Sequence, residues 1–257
     1  MKLLGTDKKL GFTLVELSIV LVVIGLLIGG ILVGQSMIET ANITAQIRQL
    51  QQMDIAIANF KNKYKYMPGD CPFLGVAGDG DRKLENTLSN GGAGSSAGSY
   101  TYEVSNFWKH LQYDNFLSKE YAPFSNDASA GVRADTHLPR AKIGKNKAAI
   151  MPLVVDVYPT RSPAYYLCGF ENTPAGGTHY NANVQAVLTG AQALSMDQKI
   201  DDGIAGSTNL LTYYNSIAAS SASPSCYSVS GTEWRYDVSN SNITCCLQIA
   251  IGINTNR

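Results

Sequence analysis

Catalytic and cofactor-binding motifs are missing from this sequence. Its 257 residues contain no Walker phosphate loop, no dinucleotide-binding fingerprint and no H-E-x-x-H zinc motif. The three histidines, His110, His137 and His179, lie far apart, and none of the five cysteines belongs to a C-x-x-C pair. A zinc site is therefore not expected, and the chain is not predicted to be an enzyme.

One formal match to a catalytic motif occurs, the G-x-S-x-G pattern from Gly94 to Gly98. A nucleophile elbow needs a strand before the serine and a helix after it. This match lies instead in a Gly- and Ser-rich segment, residues 75–98. We interpret it as part of a loop, which makes an anchored hydrolase the least supported class of function.

An excess of charge is also missing, because 20 Lys and Arg residues balance 20 Asp and Glu residues. This balance excludes a strongly basic surface for non-specific nucleic-acid binding, so no nucleic-acid partner is predicted. The short basic run from Arg140 to Lys147 is interpreted as a solvated loop.

Ionisable residues are absent from Phe12 to Gly34, with the exception of Glu16. These 23 residues are about as many as a helix needs to cross a bilayer core. Every face of such a helix is apolar, which predicts a transmembrane helix over residues 12–34. No A-x-A-like cleavage site ends the segment, so we expect it to be retained and not removed as a secretory signal.

The flanking charges predict how this helix is oriented. Lys2, Lys8 and Lys9 precede it, against one acidic residue, Asp7. Because basic flanks stay in the cytoplasm, residues 35–257 are expected on the far side of the membrane.

Glu16 is an unusual residue for a membrane-spanning segment. A carboxylate at mid-bilayer costs about 3 kcal/mol on insertion scales, and such a group usually has a partner. Cleavage after Gly11 would create a free amine on Phe12, four residues from Glu16, and the two groups could pair within one helix or between neighbouring helices. Alternatively, Glu16 extends to the membrane surface without a specific partner. From the residues alone the two interpretations carry equal weight.

The stretch from Gly11 to Leu17, with its basic leader, resembles the cleavage and methylation motif of type IV prepilins and type II secretion pseudopilins. The resemblance covers residues 8–34. It implies cleavage between Gly11 and Phe12 by a prepilin peptidase, N-methylation of Phe12, and pairing of Glu16 with the Phe12 amine of an adjacent subunit. Residues 1–11 would then be a cytoplasmic leader peptide that is removed.

Proline is absent before Pro68, whereas major type IV pilins commonly carry one inside the apolar helix. This departure favours a pseudopilin or minor pilin over a major adhesive pilin. Glycines could instead loosen the helix locally or let it pack closely on other helices. They are Gly25, Gly29, Gly30 and Gly34.

Beyond Gly34, apolar residues recur at steps of three and four, which predicts an amphipathic continuation of the helix over residues 35–66. Pro68-Gly69-Asp70 is expected to end it. A helix from Phe12 to Tyr66 would be about 80 Å long, a length that suits a filament. The predicted buried stripe consists of Ile43, Ile47, Leu50, Ile57, Phe60 and Tyr64.

The remaining 191 residues, 67–257, are enough for one globular head domain with its own core. The predicted fold class is α+β, in which the long N-terminal helix packs on an antiparallel β-sheet head with helical and loop insertions, as in pilins. Helices are predicted at 104–121 and 189–199. Strands are predicted at 148–158, 164–170, 210–214, 225–229, 233–238 and 243–251.

Five cysteines in an exported domain predict one or two disulfides. Cys226 is expected to pair with Cys245 or with Cys246, and Cys71 with Cys168. One cysteine must then stay outside these pairs.

Two acidic turns have the Asp and Gly content of a calcium site, since Ca²⁺ takes six to eight oxygen ligands. Neither has the spacing of an EF-hand, and ordinary turn chemistry also favours Asp and Gly. The resemblance adds to the calcium hypothesis, because major type II pseudopilins hold a structural calcium in the head. The candidate ligands are Asp70, Asp79 and Asp81 in one turn and, slightly favoured, Asp197, Asp201 and Asp202 in the other.

The favoured function is a structural subunit of a type II secretion pseudopilus or a type IV pilus. It would be held in the bacterial inner membrane by one span, with its head in the periplasm, and would then enter a periplasmic or extracellular filament. Expected partners are other pilin or pseudopilin subunits, the prepilin peptidase, an inner-membrane assembly platform and, before assembly, the lipid bilayer. The alternative is a single-pass, membrane-anchored exported binding domain that does not polymerise.

Overall fold

The structure is a computed structural model of the chain. It describes residues 12–74, 78–81, 84, 102–122, 134–144, 148–157, 160–170, 184–205, 210–213, 226–230, 233–239, 241–242 and 245–252. These residues belong to two compact units, with the boundary between Asn42 and Ile43.

Helix α1 runs from Leu14 to Tyr64 and contributes residues to both units. In the first unit its large apolar side chains are exposed on every face, as Leu26 shows with 73% of its surface accessible. Among the described helices, α1 is the one that is long and apolar enough to cross a membrane.

From Ile43 onward one face of α1 is buried, at intervals of three and four residues. Four of the predicted stripe residues are buried there, and Ile47 and Tyr64 are partly buried. The helix ends at Tyr64, two residues before the predicted end, and Lys65 has a left-handed φ of 67°. The buried residues of α1 are Ile43, Gln46, Leu50, Met53, Ala56, Ile57 and Phe60.

Gln46 is a polar residue on the buried face of α1. It is fully buried, and its Oε1 accepts a hydrogen bond from the backbone N–H of Lys142 at 2.6 Å. One helical turn away, the Nε2 of Gln49 donates to the carbonyl oxygen of Arg140 at 2.9 Å. A buried amide is tolerated because it satisfies backbone groups of the packed segment 138–143.

The described strands of the head are β1 Ala148–Val157, β2 Thr160–Phe170, β3 Val184–Gln185, β4 Leu210–Tyr213, β5 Tyr227–Ser230, β6 Glu233–Tyr236 and β7 Cys246–Ala250. Five of them form an antiparallel sheet in the order β1-β2-β7-β4, with β3 paired to the end of β2. A separate two-stranded antiparallel sheet is formed by β5 and β6. The predicted α+β class is therefore confirmed.

The described residues of the head also form two short helices, α2 from Tyr102 to His110 and α3 from Gly190 to Ile200. The prediction of one helix over residues 104–121 was wrong beyond His110. Residues 111–119 form turns and bends, with Asn115 at a φ of +56°. Asp114 and Asn115 explain the break, because their short polar side chains favour turns over helix interiors.

The core lies where α1, α2 and the sheet meet. Trp108 of α2 is fully buried and stacks on Tyr165 of β2, with ring centroids 6.3 Å apart. The hydroxyl of Tyr165 donates to the Asp54 carboxylate of α1 at 2.8 Å. The aromatic cluster in α2 is thus core, and it fixes α1 against the sheet.

Two disulfides join residues that are distant in sequence: Cys226–Cys245 and Cys168–Cys246. The predicted Cys71–Cys168 bond was wrong, and Cys71 is a free, buried cysteine. The reason is strand register. Because β2 and β7 pair Leu167 with Leu247, the next residues, Cys168 and Cys246, lie opposite each other with their Cα atoms 5.0 Å apart.

Candidate functional site

The first turn of α1 is closed by a reciprocal set of hydrogen bonds between Thr13 and Glu16. The backbone N–H and the Oγ1 hydroxyl of Thr13 each donate to Glu16 Oε2 at 2.8 Å. In return, the Glu16 backbone N–H donates to Thr13 Oγ1 at 3.2 Å. This is the capping-box arrangement, which satisfies N–H groups that the start of a helix leaves without partners.

The capping box was present in the sequence and was missed there. Thr13-Leu14-Val15-Glu16 has the S/T-x-x-E pattern that precedes an apolar helix. It keeps the Glu16 carboxylate at the start of the apolar segment, bonded to Thr13, the residue that directly follows Phe12. Phe12 is exposed, whereas Gly11, the predicted processing residue, lies outside the described residues.

In the first unit, the surface of α1 after Glu16 is exposed on all sides. A Cβ placed on Gly25, Gly29, Gly30 or Gly34 would have no neighbour within 4 Å. The fold of a single chain therefore does not require glycine at these positions. Any requirement for small side chains there comes from outside the chain.

The first acidic group brings together Asp70, Asp79 and Glu103, whose ligand oxygens lie within 4.8 Å of one another. Glu103, in the first turn of α2, was not anticipated. It meets the turn because the chain passes very close there: a Cβ on Gly69 would lie 2.4 Å from the Glu103 carbonyl oxygen. Asp81 is not a member of this group, which corrects the predicted ligand set.

Backbone donors already occupy this first group. The N–H groups of Gly80, Asp79 and Asp81 donate to the carboxylates of Asp70, Glu103 and Asp79, at 2.8, 3.0 and 3.0 Å. These N–H dipoles place partial positive charge where a cation would sit. The residues therefore fit a hydrogen-bonded acidic turn better than a metal site.

The second acidic group consists of Asp197, Asp201 and Asp202, again with carboxylate oxygens within 4.8 Å of one another. Asp197 is fully buried, and its Oδ2 accepts a hydrogen bond from the Tyr236 hydroxyl at 2.7 Å. The backbone N–H of Gly203 also interacts with this carboxylate. These hydrogen bonds hold the buried carboxylate in place, and calcium at this turn stays a prediction.

Burial raises the pKa of Asp197 to about 6, and the negative charges of Asp202 and Asp201 act in the same direction. The Tyr236 hydroxyl and the Gly203 backbone N–H oppose this rise. Burial, the hydrogen bond to Asp197 and the acidic neighbours all raise the pKa of Tyr236, so it stays protonated and remains the donor.

His110, the histidine next to the aromatic core, has a structural role. It is fully buried, its Nδ1 accepts the Gly69 N–H at 2.9 Å, and its ring stacks on Phe60. The G-x-S-x-G match, Gly94 to Gly98, lies outside the described residues.

Comparison with protein families identifies the N-terminal region. Residues 6–32 match the prokaryotic N-terminal methylation motif. The chain carries a prepilin-type cleavage and methylation signal. No curated protein and no solved structure matches the chain.

The methylation motif indicates a type IV pilin-like or pseudopilin-like precursor. Together with the apolar helix, it indicates an inner-membrane-anchored protein. It implies processing by a prepilin peptidase and assembly with other pilin subunits, and it marks a family of structural, usually non-enzymatic proteins. The matched residues cover the capping box and the first part of α1.

Proposed function

We propose that this chain is a structural, non-enzymatic subunit of a type II secretion pseudopilus or a type IV pilus. The observation that carries the proposal is the position of the methylation motif, directly on a helix whose apolar side chains are exposed on every face. A helix of this kind needs lipid before assembly and other helices after it.

In this proposal the chain has four functional segments. Residues 1–11 are a cytoplasmic leader, residues 12–34 the transmembrane helix, residues 35–66 its amphipathic continuation and residues 67–257 the periplasmic head. Cleavage after Gly11 leaves the membrane anchor intact, because the anchor begins at the following residue. The processed chain loses three Lys and one Asp, which changes its formal charge from 0 to −2.

Glu16 is the assembly contact in this proposal. Both hydrogen bonds that its carboxylate receives from Thr13 end on Oε2, and within the described part of the chain Oε1 accepts none. Oε1 can therefore accept the cationic amine of Phe12 from a neighbouring subunit while the capping box stays closed. Pairing the two charges lowers the cost of holding each in an apolar bundle and sets the axial register of the two helices.

The glycines of α1 support close packing of such helices. Gly25 and Gly29, like Gly30 and Gly34, have the small-xxx-small spacing that lets helix backbones approach in lipid. All four lie in open space in the single chain. We infer that the surfaces they provide are used between subunits.

The filament would work mechanically. An inner-membrane assembly platform extracts processed subunits from the bilayer, and the growing fibre moves the heads outward, so that it pushes exported proteins or carries adhesion or DNA uptake. Helix α1 has no proline, and this lack favours a pseudopilin or minor subunit over a major pilin.

Three variants of the full chain test the proposal in a host with its assembly system. Gly11→Ala should leave an unprocessed chain, which N-terminal mass spectrometry identifies by the retained leader and the missing N-methyl group. Glu16→Ala should insert and be processed but disappear from the sheared filament fraction, because its carboxylate no longer meets the neighbouring amine. Ser18→Ala is the matched control, since the Ser18 hydroxyl donates within its own turn, to the Val15 carbonyl oxygen at 2.8 Å.

The alternative, an anchored exported domain that does not polymerise, predicts another result. Wild-type chain would then fractionate with the membrane only, and Glu16→Ala would have the same distribution as wild type. That outcome would reject the filament proposal while leaving the processing signal intact.

A further inference from the structure

The bonded cysteines of the head form two nested cross-links. Cys226 is bonded to Cys245 and Cys168 to Cys246, so the two C-terminal partners are neighbours in sequence. Cys245 forms a β-bridge with Leu188, and Cys246 begins β7. Because the chain is extended through both residues, their side chains project to opposite faces of the sheet. Each must therefore meet its own partner on its own face.

The register of the folded sheet accepts only the native pairing. Cys168 lies opposite Cys246 because β2 and β7 pair Leu167 with Leu247. A bond from Cys168 to Cys245 would require β7 to slip by one residue, which turns each of its side chains to the other face. Leu247 is fully buried and would then leave the face on which it packs. The folded sheet thus excludes the exchanged pairing.

An unfolded chain does not make this distinction. The loop from Cys226 to Cys245 has a sequence separation of 19, and the loop from Cys226 to Cys246 is one residue longer. By the loop-entropy relation, the probabilities of closing these two loops differ by only about 8%. Both close roughly eightfold more readily than the loop of separation 78 between Cys168 and Cys246. The first bond is therefore the wrong one in about half of the chains.

We propose that correct cross-linking of this head requires thiol–disulfide exchange, so that the exported chain is a substrate of a disulfide isomerase, a protein with a reactive dithiol. Oxidation alone retains the first bond that closes, whereas exchange lets the sheet keep the bonds that fit its register. All four bonded cysteines are buried in the folded head, so the exchange takes place before the core closes. The proposal does not depend on filament assembly.

The exchange consumes no oxidant, because each attack forms one S–S bond and breaks one. A thiolate of the isomerase attacks the Cys226 sulfur of a wrong Cys226–Cys246 bond and releases the Cys246 thiolate. This thiolate attacks the Cys168 sulfur of the Cys168–Cys245 bond and releases the Cys245 thiolate. The Cys245 thiolate then attacks the mixed disulfide at Cys226, which forms the native bond and returns the thiolate of the isomerase.

The test follows disulfide pairing in the full-length Cys71→Ala chain, in which no thiol remains once both bonds have formed. The reduced, urea-unfolded chain is diluted into detergent micelles with diamide, an oxidant that supplies no thiol. Trypsin places Cys168, Cys226 and the adjacent pair in separate peptides. Electron-transfer fragmentation between Cys245 and Cys246 then identifies the partner of each by mass spectrometry.

After diamide oxidation we expect about half of the chains to carry the Cys226–Cys246 bond. Once diamide is removed, a buffer of reduced and oxidised glutathione should convert nearly all of them to the native pairs within minutes to hours. Glutathione is the probe because its thiol performs the same attack as the isomerase.

The control chain carries Cys168→Ala and Cys246→Ala in addition, so that Cys226 has one partner. It should form the Cys226–Cys245 bond with diamide alone, and glutathione should not change it. Cys71→Ser serves as a second background, so that a packing defect of the alanine variant does not decide the result.

Two outcomes would overturn the proposal. One is native pairing in nearly all chains after diamide alone, which would show that the fold selects the partners before oxidation. The other is a mixture that glutathione leaves unchanged in both backgrounds, which would show that exchange does not lead to the native pairs.

Discussion

Residues 12–42 and residues 43–252 differ in how their apolar side chains are buried and how their polar side chains are hydrogen-bonded, although α1 belongs to both regions. In the first region apolar side chains are exposed, and the Glu16 carboxylate bonds to its own helical turn. In the second, apolar side chains are buried around Phe60, Trp108 and Tyr165, and polar side chains bond to residues far away in sequence. The first region must obtain its burial from lipid or other chains, whereas the second obtains it from itself.

The largest loss of stability in the head is expected when the disulfide between β2 and β7 is removed. Replacing both Cys168 and Cys246 by Ala releases a loop with a sequence separation of 78. The loop-entropy relation gives a loss of about 4.5 kcal/mol in the free energy of unfolding of the head. Urea unfolding of the full chain in micelles, followed by tryptophan fluorescence, measures it.

The control for this double variant is Cys71→Ala, which changes a buried cysteine that forms no disulfide. It should cost only about 1 kcal/mol, the value of a small buried group. Equal losses in the two variants would show that packing and not the cross-link stabilises the sheet.

A matched pair of leucines on α1 compares the two regions directly. Leu50 is 5% exposed and Leu26 is 73% exposed. Leu50→Ala should lower the free energy of unfolding of the head by about 2–5 kcal/mol, because it leaves a cavity in the core. Leu26→Ala should leave that value unchanged and act only on filament yield; a comparable loss from both would contradict the division of the helix.

The capping box is expected to contribute less. Thr13→Ala removes the hydroxyl that both donates to and accepts from Glu16, at a cost of about 1 kcal/mol to the first turn. Amide hydrogen exchange of residues 14–17 in micelles should accelerate about fivefold. Thr40→Ala, in the middle of α1, is the control and should leave exchange at the helix start unchanged.

The smallest effect is expected at the exposed ion pairs of the head. Hydrogen bonds and charges from Lys119 and Arg140 hold the pKa of Asp135 below its usual value. Asp135→Asn should change the free energy of unfolding by less than about 1 kcal/mol, because solvent screens such pairs. A loss of several kcal/mol in urea unfolding would mean that this ion pair organises the loop.

Patterns within one element were readable from the sequence. The apolar run after Glu16 and the stripe from Ile43 to Phe60 predicted α1, since burial in a helix repeats every three to four residues. Most of the described strands of the head were predicted from segments rich in Val, Ile, Leu and Tyr, with ends shifted by a few residues. The end of α2 at His110 was missed because the apolar pattern continued through Phe116 and Leu117 while the backbone had already turned.

Relations between elements were not readable. Strand register pairs Cys168 with Cys246, and no spacing in the sequence records it. The same holds for Glu103, which joins Asp70 and Asp79 only because α2 passes the turn at Gly69. The burial of Gln46 likewise depends on a distant partner, the N–H of Lys142, which its polarity does not reveal.

The processing signal and the membrane anchor of the N-terminal region can be read from the order of residues, because a methylation motif and an apolar helix are local features. Which cysteines bond and which polar residues are buried follows instead from the folded head. Those properties depend on distances between residues far apart in sequence, and folding alone creates such distances.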